Sequence, residues 1–322
     1  MELSRLNLDN SAFFLMPGFL LPYGYMSWIF FAVASPALNG TSVLIDKFLI
    51  EKKVRDPILL TIFGGIIVFI GAGIIFALRG FGALTPWQIG VLLLAGALSE
   101  IALVPYYRAL SFDDASRIVP LFQIIPIFVL ILAYLILDEV LGMRELLAFF
   151  FVLSGSFLLA VQGFTAGMFR IRKSVWFVLA ASLTWALPVV LFKLVVIHQS
   201  FWESVAYDLL GNALGAAALF AVYHRRFFAE FKNIRAKTWS LITMNEGIFF
   251  FGRLSGFFAI ALGPVALVSV LGNLNPLFVF LFGLILSIWL PAILKEDISR
   301  STIRIKIAAI VLVFIGASLL VA

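Results

Sequence analysis

The sequence predicts an all-α integral membrane protein whose ten transmembrane helices form two inverted five-helix repeats. Composition is the first observation behind this. Of 322 residues 63% are hydrophobic and only 12% charged, with a mean hydropathy of +1.13, too little polar character for a soluble domain of this size. Segment length is the second. The apolar runs reach ~20 residues, enough to cross a hydrocarbon core as a helix, and they are continuous rather than alternating as in a membrane barrel. The third is an internal repeat. Tyr106 to Ala160 reads as apolar helix, polar bend, apolar helix with a central Pro126, acidic hinge at Asp138 and Glu139, and apolar helix around Gly155. The order returns toward the end of the sequence, where Pro276 answers Pro126, Glu296 answers Glu139 and Gly316 answers Gly155.

In chain order the spans are expected at 25–45, 57–78, 86–109, 116–137, 144–162, 175–197, 204–223, 238–262, 264–290 and 303–321. Turn and charge signals separate them: Asp46 to Asp56, Arg79 to Pro86, Asp113-Asp114, Asp138-Glu139, Arg170 to Lys173, the basic run His224 to Lys237, and the tight Gly263-Pro264 turn. Residues 1–24 read as a tail, because acidic residues and prolines stand where a cleavable signal would have a basic region and an apolar core. Pro17 and Pro22 favour an irregular or interfacial lead-in. The first repeat is then 25–168 and the second 169–322.

Charge tests the count. Of the 23 lysines and arginines, 18 fall in the odd-numbered loops, three on the other side, and two, Lys193 and Arg253, inside spans. The positive-inside rule assigns the 18-residue side to the cytoplasm and both termini to the outside. Five helices per half place equivalent loops on opposite sides, so the halves must carry their charges in different loops. They do: the loop at 46–56 is basic and its counterpart near Gln199 is not, while the loop at 79–85 is poor and its counterpart at 224–237 is rich. Inverted repeats put a solute site between the halves near the midplane.

The pattern Tyr106-Tyr107-Arg108-Ala109-Leu110, Ala115-Ser116, Pro126, Leu137-Asp138-Glu139 and Ser154-Gly155, repeated as Ala259-Ile260-Ala261-Leu262, Val265-Ala266, Pro276, Glu296 and Gly316, resembles the EamA-type branch of the drug/metabolite transporter superfamily. Leu38-Asn39-Gly40 leading to Lys47 and Thr184-Trp185-Ala186 leading to Lys193 sit where that family often has Trp-Gly followed by a lysine, with Asn39 replacing the Trp and Ala186 the Gly. The resemblance implies a multi-pass plasma-membrane protein that moves a solute by alternating access, with the third, fourth, eighth and ninth helices among those lining its cavity. It also implies both termini inside, against the charge count, and it names no substrate.

Polar groups inside the spans are the site candidates. Glu100 and Arg253 lie mid-way along the third and eighth spans at similar depth, where an isolated charge costs roughly 2.5–3.5 kcal/mol, so each needs a partner. A mutual ion pair is the structural reading and a solute site the functional one. Glu246, seven residues before Arg253 on the same helix face, offers a second partner or a polar track toward the basic side. Gln123 stands three residues before Pro126 and Asn273 three before Pro276, with Asn275 adjacent; these amides are either helix glue or a matched pair of site groups. Asn39, Trp185 and Tyr106 complete the candidate set, the two aromatics reading first as packing. Gly211-Asn212-Ala213-Leu214-Gly215 reads as a close helix contact.

The chain has no cysteine and only two scattered histidines, His198 and His224, so no metal site, cofactor, catalytic cluster or nucleic-acid partner is expected. The expected function is a secondary transporter, an exporter, of a small organic solute. Arg253 and Glu100 together suit a zwitterionic or anionic metabolite such as an amino acid. The alternative is a proton-coupled exporter of drugs or other cations, in which Glu100 alternates between proton and cation. A tight pair with Arg253 would hold Glu100 charged and oppose that cycle. A non-transporting membrane scaffold is the reading from another class, opposed by the symmetric polar interior. The partners are then the solute, the lipid bilayer and protons, the protein being a monomer or homodimer.

Overall fold

The structure, a computed structural model, describes residues 27–54, 56, 58–113, 115–161, 172–289 and 300–321. The N-terminal tail with Pro17 and Pro22, the division between repeats at 168/169, and Glu296 lie outside the described residues.

The elements are α1 (Ser27–Lys52), α2 (Ile58–Arg79), α3 (Pro86–Ile101), α4 (Leu103–Phe112), α5 (Ala115–Leu121), a 3-10 turn (Phe122–Ile124), α6 (Ile125–Leu137), α7 (Met143–Ala160), α8 (Lys173–Val196), α9 (Phe201–Phe231), α10 (Ala236–Leu262), α11 (Val265–Gly272), α12 (Asn275–Trp289) and α13 (Arg300–Val321). α3 with α4 forms the third span, α5 with α6 the fourth, and α11 with α12 the ninth. Among the described residues, nine of the ten predicted spans are long and apolar enough to cross a membrane. The remaining one, the eighth span α10, has 27 residues and carries Lys237, Glu246 and Arg253. The protein is all-α, two five-helix halves of a multi-pass membrane protein.

Local chemistry sets the ends and breaks. Thr85 caps α3 through a capping box with Gln88, Pro86 taking the first turn, where no N–H is needed. The third span breaks at Ala102 because Pro105 cannot donate to the carbonyl of Ile101. The fourth and ninth spans restart at Pro126 and Pro276, so the two prolines answer each other in structure as in sequence. Two expected boundaries move. α1 runs past Asp46 to Lys52, and α9 runs through His224-Arg225-Arg226 to Phe231, because both segments keep a packed face after the charges begin.

Packing follows the repeat. The first span packs on the eighth as the sixth packs on the third, and the ninth on the first as the fourth on the sixth. The second packs on the seventh and the fifth on the tenth, pairs that the inversion maps onto themselves. At the fifth–tenth crossing a Cβ on Gly155 would lie 2.7 Å from the carbonyl of Ala309, and one on Gly316 2.9 Å from the carbonyl of Ala148. Each glycine therefore seats the other's helix.

Candidate functional site

A cavity of about 660 Å³ lies between the halves. On α1 its lining residues are Ser35, Asn39, Ser42, Asp46 and Ile50, three- and four-residue steps down one helix face. Facing them on the antiparallel α10 are Glu246, Phe249, Phe250, Arg253 and Phe257. The two helices lie close because Gly252 and Gly256 stand opposite Asn39 and Ser35, the Ser35 hydroxyl 3.2 Å from where a Cβ of Gly256 would be. Ser99, Glu100 and Tyr107 enter from the third span, Thr61 and Gly64 from α2, Trp185 and Phe192 from α8, and Asp208 and Asn212 from α9. The fourth and ninth spans supply none of the described lining residues, a correction to what the family resemblance implies. They pack outside the sixth and first spans, which stand between them and the cavity.

The charges pair differently from the sequence expectation. Arg253 bonds Asp208, Nη2 to Oδ1 at 3.1 Å, and not Glu100. Its guanidinium also lies over the Phe257 ring, 5.6 Å from the centroid. Glu100 accepts instead from Asn212, Nδ2 to Oε1 at 2.7 Å, while its Oε2 is buried with no partner. Glycines bring these groups together. A Cβ on Gly96 would collide with the backbone of Asp208 and Asn212, one on Gly211 with that of Leu93, and one on Gly215 would lie 2.8 Å from the Glu100 Cβ. The close helix contact expected at Gly211 to Gly215 is thus what sets Asn212 against Glu100.

Glu246 borders the cavity two turns from Arg253, toward the basic end. Beside it, Asn245 donates to Asp46, Nδ2 to Oδ1 at 2.7 Å. Asn245 is 1% exposed and its own Oδ1 has no partner. Asn39 reaches Ser35 at 3.5 Å and likewise leaves its Oδ1 buried and unpartnered.

The other candidates separate. Trp185 is cavity wall: its indole N–H donates to the carbonyl of Ser99 at 3.0 Å, and its ring packs on Tyr106 at 5.6 Å and Phe122 at 5.4 Å. Tyr106 belongs to this aromatic packing, and its neighbour Tyr107 takes the place in the lining. Gln123 borders a second, apolar cavity of about 470 Å³ with Leu153 and Phe157. Asn273 ends α11 and Asn275 begins α12 against Gly40 of α1, both outside the main cavity. Gln123, Asn273 and Asn275 therefore mark the paired helix breaks.

Sequence reasoning missed Asp208, Asn212, Asp46 and Asn245. Asp208 lay inside an expected span, where the rule that singled out Glu100 applies equally. Asp46 was lost at a helix end drawn too early. Among the described residues no group of three or more His, Asp or Glu is placed to hold a metal ion.

Toward the end opposite the basic one lies an aromatic cluster: Phe258 stacks on Phe201 at 4.2 Å and on Phe31 at 5.0 Å, with Trp202 edge-on at 5.8 Å. At the other end the lining runs out at Ile50, which is 44% exposed.

Comparison with known proteins agrees with this architecture. No curated protein matches the sequence. Among solved structures, one described only as "Crystal structure of protein" superposes with a TM-score of 0.65 at 17% identity, covering 91% of this chain and 96% of that one, a likeness of fold. The model of the EamA-like transporter family matches residues 26–161. Over those residues, its first five-helix half, the chain is similar to the EamA-like transporter family.

Proposed function

We propose that the protein is a secondary transporter of small organic cations, exchanged against protons by alternating access through the cavity between its halves. The observation that carries the reading is the charge balance of the lining: four carboxylates, Asp46, Glu100, Asp208 and Glu246, face one guanidinium, and Asp208 already takes it. In a medium of low dielectric such an excess calls for bound positive charge, as protons or as solute. Weighing Glu100 and Arg253 alone favours a zwitterion; counting Asp208 and Asp46 moves the balance to the cation. Because Arg253 pairs with Asp208 and makes no ion pair with Glu100, the objection to Glu100 alternating between proton and cation weakens. The lining reaches the exposed Ile50 at the basic end, which the charge rule places in the cytoplasm, so this conformation opens toward that side, as the loading step of an exporter requires.

The zwitterionic reading stands second. Arg253 borders the cavity and has N–H groups beyond the one that Asp208 accepts, enough to hold a carboxylate.

A panel of amines, amino acids and dicarboxylates, compared by thermal stabilisation of the purified protein, tests the proposal. Amines raise the midpoint and dicarboxylates do not. Stabilisation by dicarboxylates alone would overturn the cation reading.

A further inference from the structure

The acidic groups of the cavity form two stations at different depths, and the inner one holds a buried oxygen that lacks a donor. The inner station is Glu100, whose Oε1 is engaged by Asn212 and whose Oε2 is free. The outer station, nearer the basic end, is Asp46 with Glu246. Behind it Asn245, 1% exposed and outside the cavity lining, holds Asp46 through its Nδ2 and fixes that carboxylate at the outer station. No Lys or Arg among the described residues lies within ion-pair distance of Asp46, Glu100 or Glu246. Arg253 is the one cation among the described lining residues and Asp208 takes it, so an occupant that brings donors suits the carboxylates of both stations.

Helix geometry sets the spacing. Glu246 is seven residues from Arg253, a rise of about 10 Å, whereas Asn212 is four residues from Asp208, the partner of Arg253, a rise of about 6 Å. The stations therefore differ by about one turn in depth, with a further separation across the cavity from α3 to α10. Phe249, Phe250 and Leu103 line the same cavity and offer an apolar wall for whatever joins the two ends.

Resting on the cation reading, we infer that the solute is a linear diamine or polyamine, one ammonium at Glu100 and a second at Asp46 and Glu246. A single cation meets one station and leaves the other station's carboxylates unmatched. Two ammonium groups on a short methylene chain meet both and supply the missing N–H donors.

Calorimetry on the purified protein in nanodiscs, with pentane-1,5-diamine and n-pentylamine as probes, tests this. The two differ only by the second ammonium. Wild-type protein binds the diamine at least about tenfold more tightly, the scale of one additional charge-assisted contact. In a D46N/E246Q variant the ratio of the two affinities falls toward one. Equal affinities in the wild type, or a ratio that survives in that variant, overturn the inference. If n-pentylamine binds and the diamine gains nothing, the cation reading stands and only the diamine is lost. If neither probe nor any other amine binds, the cation reading itself has failed.

Discussion

Lys193 and Glu139 grip opposite sides of one turn. The Lys193 ammonium donates to the carbonyls of Ile260 at 2.7 Å and Gly263 at 2.9 Å, at the end of α10. The Glu139 carboxylate accepts the N–H groups of Val265 at 3.0 Å and Ala266 at 3.1 Å, where α11 begins. A cation thus meets a helix C-terminus and an anion a helix N-terminus, each matching the local dipole. Lys193 comes from the sixth span and Glu139 from the loop between the fourth and fifth, so the Gly263-Pro264 turn is held from both halves.

Lys193→Met should lower stability by about 2–4 kcal/mol, because charge-assisted bonds are lost and the carbonyls of a partly buried helix end go unmatched. Glu139→Gln, which keeps one acceptor, should cost less, about 1 kcal/mol. Thermal midpoints in one detergent check the order. A Lys193→Met protein as stable as wild type would remove the clamp.

For Arg253 and Asp208, either single change, Arg253→Gln or Asp208→Asn, leaves a buried charge alone and should cost about 3–5 kcal/mol. The double variant should recover most of that, with a coupling energy above about 1 kcal/mol. Glu100→Gln should show a smaller coupling with Arg253→Gln, since the two share no hydrogen bond and act on each other only through the field across the cavity.

Glu100→Gln also bears on energy coupling. Its amide oxygen can still accept from Asn212, so the fold should survive, but it cannot carry a proton between the two sides. Proteoliposomes of this variant should show no acceleration of amine transport by an imposed pH gradient. Acceleration equal to wild type would take Glu100 out of the coupling step.

Glycine substitutions should divide by what their Cβ meets. Gly96→Ala and Gly211→Ala drive a methyl into the backbone of the facing helix and should cost about 1–3 kcal/mol, and the first displaces Asn212 from Glu100. Gly73→Ala meets nothing within 4 Å and should be neutral or stabilising by up to about 1 kcal/mol from helix propensity. Matched thermal unfolding of the three variants decides.

What the sequence disclosed depended on the range of the interaction. Ten spans and their inversion were legible because hydropathy, loop charge and the Pro126/Pro276 and Gly155/Gly316 pairs are local or periodic. Glu100, Glu246 and Arg253 stood out because a charge in an apolar run is visible without any partner. The partner itself was not visible: Arg253 meets Asp208 across 45 positions, a choice made by the α3–α9 and α1–α10 crossings. Asp46 escaped because it sits where apolar character ends, although its helix continues for six more residues. Gln123 and Asn273 show the converse, a pairing visible in sequence that the structure places outside the main cavity. Their symmetry was real, and it belonged to the helix breaks, not to the cavity.

The repeat also carries an imbalance. The seventh span is pressed against the third so closely that Gly96 and Gly211 touch backbone, whereas its counterpart, the second span against the eighth, meets mainly side chains: Gly64 faces the tip of Glu246 and Gly71 the ring of Phe250. Two halves of like fold are caught in unlike poses. Under the proposed alternating access, trading the poses would give the reverse state: the second span closing onto the eighth through its glycine face, the third–seventh seam opening, and the aromatic cluster at Phe258 separating. The fifth–tenth and second–seventh pairs map onto themselves under the inversion, so in that exchange they would be the axle on which the rest turns.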